Sequence, residues 1–70
     1  MESEILNMQI RIIRQFGERN NKTPEECAKI FKVNGIWEYI RNCYDMLHLS
    51  SDECVLSDIM QILHLRGGKV

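Results

Sequence analysis

The stretch Thr23–Gly35, TPEECAKIFKVNG, decides the fold. It holds a whole helix with both ends marked. Thr23 can cap free backbone N–H groups, and Pro24 suits the first helical position. Glu26, three residues after Thr23, completes a capping box. Asn34-Gly35 closes the segment, because these residue types accept a left-handed backbone. Between the ends, Cys27, Ala28, Ile30 and Phe31 form one apolar side. The spacing predicts a helix over 24–34, and the same punctuation recurs outward in both directions.

Toward the N-terminus the pattern predicts a helix over 3–20. At about 100° per residue, Ile5, Ile12 and Phe16 line up. Met8 flanks them on one side, and Leu6, Ile10 and Ile13 on the other. This arc is wider than the roughly 100° stripe of a surface helix. Either several neighbours pack around a central helix, or part of the arc meets another protein. Asn20-Asn21-Lys22 reads as a connector.

Toward the C-terminus a third helix is expected over 36–48. Ile36, Ile40, Cys43 and Leu47 form its stripe, with Trp37 and Tyr44 on one flank and Tyr39 and Met46 on the other. A fourth is expected over 51–66, with Ser50 as cap and Glu53 completing a second capping box. Asp52 and Glu53 fall in its first turn, where the helix dipole favours acidic groups. Val55, Leu56, Ile59, Ile62 and Leu63 form its inner face, and Gly67-Gly68 would end it. No segment alternates at period two. The expectation is therefore all-α: a compact array of about four short helices in a single domain, residues 1–70.

Size and charge narrow the function. A 70-residue chain buries only about 60% of its unfolded surface, so a partner, metal or disulfide often adds stability. With 44% hydrophobic and 27% charged residues the chain is too apolar for disorder. The net charge of -1 lacks the basic excess of nucleic-acid binders. Arg11, Arg14 and Arg19 cluster on the first helix but read as a solvated face. Three widely spaced cysteines and an acidic start at Met1-Glu2-Ser3-Glu4 fit a reduced, cytoplasmic protein. No apolar run approaches the ~18 residues needed to span a membrane.

Four stretches could carry chemistry. Asp45 and His48 lie three apart, but Asp45 points away from the apolar stripe, and a last-turn His more simply caps free carbonyls. The metal-ligand types Cys27, Cys43, His48, Cys54 and His64 show no close pair of the C-x2-C kind. Residues 23–42, TPEECAKIFKVNGIWEYIRN, start like a helix-turn-helix. The second helix, however, carries Trp37, Tyr39 and Ile40 where polar base-reading residues belong. LRGG, residues 65–68, reads as a glycine helix stop rather than a modifier tail. No phosphate loop, H-E-x-x-H or G-x-S-x-G occurs. The sequence reads as non-enzymatic, with no catalytic, metal or cofactor residue.

Residues 31–63, FKVNGIWEYIRNCYDMLHLSSDECVLSDIMQIL, carry a resemblance. Phe31, Gly35, Ile36, Tyr39 and Ile40, then Tyr44, Asp45, Leu47 and His48, then Asp58 and Ile59, resemble the pattern of the bacterial family known as domain of unknown function 3791. Leu49 departs from it, since Thr more often follows the His there. The resemblance implies a bacterial cytoplasmic helical protein and carries over no catalytic residue. It also implies neighbouring genes with ADP-ribosyltransferase-like domains, which suits a partner-binding or antitoxin-like role.

The leading expectation is a protein–protein interaction module that self-associates or binds a neighbouring gene product. Its candidate surface is Leu6, Ile10, Trp37, Tyr44 and His48, because apolar and aromatic anchors dominate interface energetics. The alternative is a helix-turn-helix-like DNA-binding or transcription-associated protein. A small metal protein or enzyme using Asp45, His48 and Asp58 is the third. No membrane contact and no small-molecule substrate is expected.

Overall fold

A computed structural model of the protein describes residues 2–66. Among them there are five helices and no strand: α1 Glu2–Asn20, α2 Pro24–Val33, α3 Ile36–Asn42, α4 Tyr44–Leu47 and α5 Asp52–Leu65. The all-α expectation holds. The expected glycine stop at Gly67-Gly68 lies outside the described residues.

The punctuation around α2 forms as the sequence predicts. The Thr23 hydroxyl accepts from the Glu26 N–H at 3.2 Å, and the Glu26 carboxylate accepts from the Thr23 N–H at 3.0 Å. The backbone N–H of Thr23, then its hydroxyl, hold the Glu26 carboxyl below its usual range. Upstream, α1 ends in a Schellman motif. Asn21 is left-handed at φ 54°, and the Lys22 N–H reaches back to the Gly17 carbonyl at 3.0 Å.

Gly35 separates α2 from α3 in a single left-handed step, φ 67°. A Cβ there would meet nothing within 4 Å. Any penalty for Gly35→Ala is therefore backbone strain alone, roughly 1–2 kcal/mol. Urea denaturation should show a lower midpoint with an unchanged slope. A variant as stable as the parent would mean that the left-handed step is not enforced.

Two expected boundaries are corrected. The helix expected over 36–48 breaks at Cys43, which sits in the bridge region at φ -105°, ψ 13°. The Cys43 carbonyl accepts from the N–H groups of both Met46, at 3.0 Å, and Leu47, at 2.8 Å, so a short α4 restarts from it. The cap of the last helix is Ser51, not Ser50. Ser50 is still held by the preceding turn, its N–H on the Leu47 carbonyl at 3.0 Å. Ser51 is extended, and its hydroxyl accepts from the Cys54 N–H at 3.2 Å. Glu53 does not close the expected box; it pairs with Arg19 at 3.1 Å.

The core draws on every helix. Met8, Ile12 and Phe16 of α1 meet Cys27 and Phe31 of α2, Ile36 and Ile40 of α3, Leu47 of α4 and Val55, Leu56, Ile59 and Leu63 of α5. Ala28, expected on the inner side of α2, is exposed, because the buried residues of that helix are Cys27 and Phe31. Phe31 is the aromatic centre. Phe16 and Trp37 each meet it edge-on, with ring centroids 5.2 Å away. Such geometry sets the positive edge of one ring against the negative face of another. Gln9 is the one buried polar side chain among the described residues, and its amide donates to the Trp37 carbonyl at 2.9 Å.

The arginines of α1 are not simply a solvated face. Arg11 grips Asp52 with two donors, Nε at 2.9 Å and Nη2 at 3.1 Å, and Gln15 donates to the same carboxylate at 2.8 Å. Arg19 reaches Glu53 one turn further along. The first turn of α5 is thereby clasped to α1. The Arg11 guanidinium, then the Gln15 amide, hold the Asp52 carboxyl below the usual carboxylate range. A depressed folded-state value stabilises the fold above the unfolded value, about pH 4, and that stability disappears as pH falls through the folded value. Asp52→Asn should cost roughly 1 kcal/mol at pH 7, given the partial exposure of the pair. The gap between parent and variant should close as pH falls through the lowered folded-state value. A gap unchanged between pH 7 and pH 2 would show that the carboxylate charge contributes nothing.

Candidate interaction surface

The wide apolar arc of α1 divides in the structure. Met8, Ile12 and Phe16 are buried and Ile13 is half-buried, but Leu6 is 54% exposed and Ile10 46% exposed. The two exposed residues are four apart, so they sit one above the other on the same edge. α2 begins close to that edge, because Gly17 lets it. A Cβ at Gly17 would lie 3.1 Å from the Cys27 sulfur and 3.1 Å from the Lys22 carbonyl oxygen. The elbow between α1 and the start of α2 encloses a groove of about 520 Å3. Ile10, Ile13, Gly17, Pro24 and Cys27 give it an apolar lining. Arg14, Glu18 and Lys22 add charges of both signs. Burial pushes the Cys27 thiol up, so it acts there as a small apolar group.

The aromatic candidates lie on α3 and α4. Trp37 is half-buried and commits its ring to Phe31. Tyr44 is half-buried, and His48 stacks on it at 5.0 Å with the rings 13° from parallel. The His48 Nδ1 lies 2.8 Å from the Tyr44 carbonyl. A carbonyl oxygen only accepts, so Nδ1 is the donor of that bond. The Tyr44 hydroxyl points to the Glu4 carboxylate of α1 at 3.5 Å, the outer limit of a hydrogen bond. His48 thus caps a helix end, as its last-turn position predicts.

The acid–base and metal constellations do not assemble. Asp45 is exposed, and the His48 Nδ1 is held by a carbonyl rather than a carboxylate. Asp58 lies near Tyr39 instead. Burial, then the charge of Asp58, push the Tyr39 hydroxyl up. Among the described residues no three His, Cys, Asp or Glu side chains are placed to hold a metal ion. The three cysteines are unpaired. No helix among the described residues is long and apolar enough to cross a membrane.

The helix-turn-helix segment folds as two helices joined at Gly35, but α3 is only seven residues long. It buries Ile36 and Ile40, half-buries Trp37 and Tyr39, and exposes Glu38, Arg41 and Asn42. That face carries one acid and one base, little for a phosphate backbone to hold.

The groove is what sequence reasoning missed. Its signal was Gly17, a helix-interior glycine whose close neighbours lie five and ten residues along the chain. Periodicity within α1 could not show them.

The structure defines a compact all-α domain of short helices with a half-open apolar edge. The chain belongs to the family described as "Protein of unknown function (DUF3791)", whose model matches residues 7–66. Among curated proteins, and among solved structures, none matches the chain.

Proposed function

We propose that the protein is a non-catalytic bacterial interaction module, working in the cytoplasm, that docks through the outer edge of α1 and its adjoining groove. The observation that carries this reading is the exposure of Leu6 and Ile10 beside an apolar groove. Single exposed apolar residues are ordinary, but a contiguous strip with a groove beside it is the form of a docking site. The marginal size of the chain supports it, since association adds the stability that a 70-residue core supplies sparingly. An antitoxin-like role, masking a neighbouring gene product, is one form of such docking.

The test is the double variant Leu6→Asp/Ile10→Asp. Both positions are exposed, so helicity and thermal midpoint should stay within a few degrees of the parent. Association, read by light scattering for the protein itself and by capture of host proteins, should fall at least tenfold. Unchanged association in a folded variant would refute the assignment of this edge.

A further inference from the structure

We draw no further inference here: the strongest candidate, the apolar groove in the elbow between α1 and the start of α2, belongs to the docking edge already proposed, and with charges of both signs on its rim at Arg14, Glu18 and Lys22 nothing in the structure shows what covers it.

Discussion

Replacing Phe31 with alanine is expected to remove about half of the stability of the fold. Phe31 is fully buried and packs in T-shaped pairs with both Phe16 and Trp37. Truncation of a buried phenylalanine costs about 3–5 kcal/mol, of which the ring pairs supply a part. A domain of this size has roughly 4–10 kcal/mol in total. The loss is thus a large fraction of everything available. Circular dichroism with a urea titration reads it, and Phe31→Leu, which keeps most of the volume, should recover more than half. A variant losing under about 1 kcal/mol would mean that the three rings are not the centre of the fold.

The second large effect is expected at Gly17, where two physical terms oppose each other. Alanine in a helix interior gains up to about 1 kcal/mol over glycine. Against that, its methyl would sit 3.1 Å from the Cys27 sulfur and from the Lys22 carbonyl oxygen. The sulfur could give way, but the oxygen belongs to a backbone pinned by the Lys22 N–H on the Gly17 carbonyl. Overpacking of this kind costs about 1–3 kcal/mol, so Gly17→Ala should be mildly destabilising. Gly17→Val forces two further carbons into the gap and should lose about 3 kcal/mol, lowering the thermal midpoint by roughly 12 °C or more. Removing the sulfur with Cys27→Ala should recover part of the alanine penalty and little of the valine one. A Gly17→Val protein as stable as the parent would show that α1 and α2 do not need this close approach.

What the sequence displayed and what it concealed follow from the range of each interaction. The Thr23–Glu26 box and the Gly35 step involve groups within three or four residues, and both were legible. The wide arc of α1 was legible too, but its pattern fitted either a helix covered by several neighbours or one with an open edge, and only the structure exposes Leu6 and Ile10. The clasp of Arg11 on Asp52 spans 41 residues, and nothing in the local pattern of either segment announces it. Ser50 and Ser51 are equally good caps by type. Only the turn that still holds the Ser50 N–H decides between them. The break at Cys43 leaves the stripe Ile36, Ile40, Cys43, Leu47 intact in sequence, so periodicity alone reads through it. Trp37 has the composition of an interface anchor, but its ring packs on Phe31, a partner set by the Gly35 step rather than by its own helix.

The Asp52 clasp also bears on how fast the molecule opens. Connections between successive helices are short, and topologies rich in local contacts fold in microseconds to milliseconds. The α1–α5 contact closes the longest loop of the chain and carries the largest entropic cost before it is rewarded. It is therefore expected to form after the barrier is crossed. A contact made that late leaves the folding rate nearly unchanged and slows unfolding. Arg11, Gln15 and Asp52 act as a latch on the closed chain: in stopped-flow traces, Asp52→Asn should steepen the escape of the last helix while the rate of collapse stays the same.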